Sequence, residues 1–171
     1  MKPVKLYNVI FPIWFLLFFP PVILITLAGN FIIDSLVIFA CYYIFKLADT
    51  ITSNKTFYKE SIWNVWIFGF LSDLIGGAIL FITGILGDSI GIPYEISSAI
   101  NFDPFSHPTA VAIIVIAMIV SAVFIFLFNY KVTFRKLLTE RQQRLKVALT
   151  IAIVTMPWTF LLPTKWFYRG F

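Results

Sequence analysis

Residues 109–130, Thr-Ala-Val-Ala-Ile-Ile-Val-Ile through Phe-Asn-Tyr, run for twenty-two positions without a charged side chain. A helix rises about 1.5 Å per residue and the hydrocarbon core of a bilayer is about 30 Å thick, so a run of this length covers one crossing. The rest of the chain repeats the pattern. Of its 171 residues 60% are hydrophobic and 12% charged, whereas a soluble domain carries about 25% charged residues. Too few charges remain to cover a water-exposed surface, which excludes a disordered chain and an ordinary soluble enzyme. Cys41 is the single cysteine, so a disulfide scaffold, a paired-cysteine redox site and a thiolate metal cluster are excluded too. Its neighbours Phe39, Ala40 and Tyr42 predict a buried, inert thiol.

Apolar runs of spanning length predict an all-α polytopic transmembrane helical bundle. Residues 1–171 form one integral membrane domain with about five spanning helices, at 9–27, 31–47, 62–86, 109–130 and 145–162. The stretch 6–45 is about twice a membrane thickness if read as one run. Gly29-Asn30 is therefore expected to turn the chain in a tight hairpin, with Asn30 capping the second helix. Lys2 and Lys5 ahead of an apolar run imitate a secretory signal, and Thr26-Leu27-Ala28 is a passable cleavage site. The run is nevertheless too long for a signal core and is interrupted by Pro12, Pro20 and Pro21. Residues 46–61 read as a polar loop, with Trp63 and Trp66 at the interface beyond it. Residues 87–108 contain three acids, three prolines and no lysine or arginine, and read as an irregular loop. Thr139-Glu140-Arg141-Gln142 fits a capping box, placing the start of the last helix at Thr139, and Pro157 should kink that helix.

Basic residues give the orientation. With a cytoplasmic N-terminus and five spans, the inner segments hold eleven of the thirteen lysines and arginines, and only Lys165 and Arg169 fall outside. This bias places the chain in a plasma (inner) membrane with loop 131–146 cytoplasmic and loop 87–108 extracytoplasmic. A turn-back at Pro157 and Pro163 would bring the tail inside. The +5 charge thus records sidedness and does not mark a nucleic-acid surface. The excess of lysine over arginine and the richness in Phe and Ile suit an AT-rich bacterial genome. Asn54-Lys55-Thr56 matches a glycosylation sequon on the predicted cytoplasmic side, where it has no use.

Two acids fall within spans. A carboxylate near the bilayer centre costs roughly 2.5–3.5 kcal/mol on insertion scales, so it faces the protein interior or a water-filled cavity. Asp73, near the middle of the third span, is the foremost ligand or ion candidate. Gly69, Ser72, Gly76 and Gly77 surround it at three- and four-residue spacings, so this helix face admits another helix closely. Asp73 either ties two helices together or forms an ion site with Ser72 and with Asn64 or Asn129. Asp34, four residues past Asn30, is read as an acid in the first turns of an outward-opening helix, where it is stabilised by about 0.3–1 kcal/mol. On this topology Asp34 sits about 6 Å and Asp73 about 20 Å below the outer surface. A mismatch near 14 Å argues against a carboxylate dyad.

Gly29-Asn30-Phe31-Ile32-Ile33-Asp34 resembles the glycine-asparagine segment that precedes a catalytic aspartate in lipoprotein signal peptidases. The resemblance implies a membrane aspartyl protease with Asp34 catalytic, but it covers six residues and the aspartate comes one place late. No second asparagine-alanine-aspartate motif lies near Asp73, so the segment does not assign the chain to that family. His107, the only histidine, and Asp103 stand four apart in a proline-rich loop, a weak pattern for a metal. No catalytic triad, phosphate loop or other cofactor motif is present.

Three functions follow, in this order. The first is a non-enzymatic accessory or oligomer-forming membrane protein whose partners are the lipid bilayer and a second copy or another membrane protein. The second is a small transporter or channel using Asp73 as its intramembrane polar site. The third is an intramembrane enzyme acting on lipid or peptide, ranked last for want of converging catalytic groups.

Overall fold

Proline and glycine placement decides where the helices of this chain begin and end. The computed structural model describes residues 11–49 and 53–167. Six α-helices follow in order: α1 (Ile13–Leu16), α2 (Val22–Ile44), α3 (Asn54–Leu80), α4 (Tyr94–Phe102), α5 (Pro108–Phe128) and α6 (Arg141–Thr155). α3 continues into a π-helical turn at Phe81–Ile85, and α5 into another at Asn129–Thr133. No strand occurs among the described residues, and the chain is an all-α helical bundle. Four stretches are long and apolar enough to cross a membrane: Val22–Ile44, Asn54–Ile85, Pro108–Thr133 and Arg141–Leu161.

The largest departure from expectation lies in the first two spans. Gly29 and Asn30 do not form a hairpin, and Asn30 caps nothing; both lie inside α2, a continuous helix of 23 residues. At about 1.5 Å per residue α2 is about 35 Å long, one full crossing. The excess length of the apolar run is taken up earlier. α1 begins after Pro12 and ends at Leu16, and Pro20 and Pro21 separate it from α2. A proline has no amide hydrogen and disfavours helix in the residue before it, so two in succession stop a helix where one glycine does not. The expected helices 9–27 and 31–47 are thereby replaced by a short α1 and a single α2; residues 9 and 10 lie outside the described residues. Thr26-Leu27-Ala28 is mid-helix.

Three other boundaries move. α3 opens at Asn54, two turns inside the expected polar loop, with the Ser53 hydroxyl accepting from the Lys55 amide at 3.3 Å. The loop 87–108 contains α4, which buries Ser97, Ala99 and Ile100. α6 starts at Arg141 with Glu140 in the N-cap position and no side-chain cap, so the capping box at Thr139 is not formed. Pro157 ends the helix instead of kinking it: Met156, the residue before it, is extended (ψ 156°), and the chain resumes as a 3-10 turn at Trp158–Leu161.

Two apolar clusters hold the bundle. Ile38, Cys41, Leu47, Phe57, Phe134 and Ala148 are fully buried near the end that carries the 131–141 connection. Trp14, Leu80, Ile100, Ile114 and Phe160 form the other, near α4. At that second end Thr164 ties three segments together: its hydroxyl accepts from the Ile13 amide at 2.9 Å and donates to the Asn101 carbonyl at 2.7 Å. Asn101 in turn donates to the Gly84 carbonyl at 2.7 Å. Large apolar side chains such as Leu24, Ile25, Leu36, Ile116 and Ile119 are exposed, as a lipid-facing surface requires.

Candidate functional site

Continuity of α2 changes the depth of Asp34. It lies twelve residues, about 18 Å, from the start of α2, in the middle of that helix. The two helices run antiparallel in the bundle and pack together. Asp34 Oδ2 sits 3.8 Å from the position a Cβ on Gly69 would take, one turn of α3 from Asp73. One helical turn is about 5.4 Å, so the expected mismatch of about 14 Å, which followed from the hairpin at Gly29-Asn30, shrinks to a short offset between two groups that line one space.

Asp34 and Asp73 line one cavity of about 290 Å³ between α2, α3 and the end of α6. Its polar wall also carries Thr26, Asn30, Thr155 and Thr159. Thr26, Asn30 and Asp34 are four apart, one stripe along α2. Aromatic residues share the lining. Phe18, Phe70, Trp158 and Phe160 contribute, with the Phe18 ring centroid 6.3 Å from Phe70 and 6.4 Å from Phe160. Trp158 and Thr159, both exposed, lie at its rim. The break at Pro157 creates this part of the lining, because a continued helix would carry residues 158–160 onward along the axis of α6.

Both acids are buried, Asp34 at 3% and Asp73 at 8% exposure. Asp73 Oδ1 has no hydrogen-bond partner. A buried polar atom without a partner costs about 1–3 kcal/mol. Nearly all buried polar groups avoid that cost by pairing, so an exception calls for a specific explanation.

The other predicted residues divide between two faces of α3. Ser72 points away from the cavity: its hydroxyl donates to the Phe68 carbonyl at 2.6 Å, and its carbonyl accepts from the Ser121 hydroxyl of α5 at 3.0 Å. Gly76 faces α5 as well, where an added Cβ would stand 2.1 Å from Ser121 Oγ and 3.0 Å from the Ala117 carbonyl. Gly77 receives the Phe18 ring, which lies 2.8 Å from the place of its absent Cβ. Gly69 borders the cavity. Asn64 is exposed, and Asn129 is buried with its amide donating to the Ile125 carbonyl at 2.9 Å; neither lines the cavity.

Asp103 and His107 do not converge. Asp103 pairs with Lys165, and His107 Nδ1 accepts from the Thr109 amide at 3.2 Å as the N-cap of α5. Among the described residues no three His, Cys, Asp or Glu side chains are grouped to hold a metal ion. Cys41 is packed in the apolar cluster of α2. Comparison with family models, with curated proteins and with solved structures gives no match.

Proposed function

We propose that this chain is a multi-pass membrane protein that takes up a cation in mid-membrane between Asp34 and Asp73. One observation carries the reading: two buried carboxyls from neighbouring helices line a single cavity, and one of their oxygens has no partner in the protein. Two like charges in a low-dielectric site repel, and a cation or proton between them removes the repulsion. Intramembrane acids arranged in this way accompany ion and substrate pathways. Transport or cation-coupled work is thus favoured over an accessory or oligomer-forming role. The latter drew its support from a small-residue face on α3, and Gly76 and Gly77 spend that face on Ser121, Ala117 and Phe18 of the same chain.

The sidedness follows from charge. Lys46, Lys55, Lys59, Lys131, Arg135, Lys136, Arg141, Arg144 and Lys146 gather at the end where α2 finishes and α3 and α6 begin, while the α4 end has Lys165 among the described residues. The first end is assigned to the cytoplasm of a bacterial inner membrane. The tail, tied to Ile13 and Asn101 through Thr164, is then extracytoplasmic.

Ligand binding to the folded state raises its stability by RT ln(1 + [L]/Kd). The apparent Tm of the purified chain in mild detergent is therefore measured across proton, sodium, potassium and ammonium-compound titrations. The wild type gains stability with at least one of these, and Asp34→Asn/Asp73→Asn loses that gain. A wild type and double variant that respond identically to every cation would overturn the reading.

A further inference from the structure

The cavity is too large and too aromatic for a bare inorganic ion. Its volume of about 290 Å³ falls at the lower end of the roughly 300–1,000 Å³ typical of small-molecule sites, and a single water occupies only about 30 Å³ of liquid. Hard inorganic cations such as Ca²⁺ collect six to eight oxygen ligands, whereas much of this lining is apolar. Phe18, Phe70 and Phe160 cluster around Phe18. Trp158 joins them at the exposed rim. The carboxyls stand on α2 and α3, and the aromatic residues on the α1–α2 turn, on α3 and on the 3-10 turn after α6, so charged and aromatic groups line one space.

Ring faces attract cations, organic ammonium groups among them, and apolar walls gain from burying a hydrocarbon body. From this combination of lining groups we infer that the site takes an organic cation: one ammonium group against Asp34 and Asp73, with an apolar body of about ten carbon atoms against Phe18, Phe70 and Phe160. Asp73 Oδ1, more than nine-tenths buried and without a protein partner, is the carboxyl oxygen that the ammonium charge faces. Asn30 and Thr26, one and two turns from Asp34 on the same wall, supply neutral polar contacts. The inference rests on the cation reading above and names the class of cation.

The test uses the full chain in detergent and benzyltrimethylammonium as the probe, with affinity measured by equilibrium dialysis and by the shift in Tm. Binding is expected in wild type, and Asp34→Asn/Asp73→Asn abolishes it. Phe70→Leu keeps an apolar side chain but removes a ring face, and it weakens binding about three- to tenfold, the size of one cation–π contact. Tetramethylammonium, with the charge but no aromatic body, binds more weakly than the probe. A sodium or proton response that depends on the two aspartates, with no competition from benzyltrimethylammonium, overturns the organic-cation assignment and leaves the cation site standing. Absence of any aspartate-dependent response to all three overturns both. If the double Asn variant does not fold, Phe70→Leu decides: probe affinity equal to wild type would contradict the aromatic lining.

Discussion

The two faces of α3 handle polar groups in opposite ways. Toward α5 the contact is dry and close: Gly76 leaves room for Ser121, whose hydroxyl donates to the Ser72 carbonyl, and the Ser72 hydroxyl donates back to Phe68. Each of these bonds satisfies a group that has no water to turn to. Toward α2 the same helix carries Gly69 and Asp73, yet the space they leave is a cavity, and Asp73 keeps an unpaired oxygen. Small residues by themselves therefore do not announce a binding site or an interface. The Ser72–Ser121 contact satisfies its hydroxyls within the chain, whereas on the cavity side an ionisable group, Asp73, keeps an oxygen without a partner.

Overfilling each face should separate these roles. Gly76→Leu drives a side chain into Ser121 and the Ala117 backbone, neither of which is the far end of a flexible chain. A loss of about 3 kcal/mol or more is expected, read as a large fall in apparent Tm and loss of the folded monomer peak on size exclusion. A Tm within a degree of wild type would show that α3 and α5 are not in this close contact. Gly69→Ala adds a methyl group that meets only Asp34 Oδ2, at an ordinary 3.8 Å. Alanine is also the better helix former. The Tm should hold or rise slightly, while cation affinity falls about threefold, roughly 0.65 kcal/mol. A destabilisation as large as that of Gly76→Leu would erase the difference between the faces.

Asp73 was legible from sequence because a carboxyl in a long apolar run has few structural explanations. Asp34 was legible as a residue but not as a partner of Asp73. Its depth depends on where the first apolar run breaks, and glycine is a poor breaker inside a membrane. A helix there keeps its backbone hydrogen bonds because no water competes for them. Pro20 and Pro21 hold the actual break, and both were visible. With α2 continuous, the four-residue spacing of Thr26, Asn30 and Asp34 marks a polar stripe that sequence alone could have shown. The stripe of Gly69, Ser72, Asp73, Gly76 and Gly77 looks like one face in the sequence, but it wraps far enough around α3 to serve α5, Phe18 and the cavity separately. The aromatic lining had no local signal. It arises where Phe18, from the turn before α2, meets Phe70 and Phe160, residues brought together only by tertiary packing. The capping pattern at Thr139 failed because the helix begins two residues later, leaving that motif outside it.

The claim on which the rest depends is that Asp34 and Asp73 line one cavity. In a Cys41→Ala background, Asp34→Cys/Asp73→Cys is treated in membranes with a short homobifunctional thiol crosslinker, and the products are read by intact mass. The account predicts that one crosslinker consumes both thiols of one chain, and that Asp34→Cys/Asn64→Cys, pairing the same position with an exposed residue of α3, takes two separate reagent molecules instead. If the first pair also takes two separate reagent molecules and no bridge forms, the two acids do not share a site.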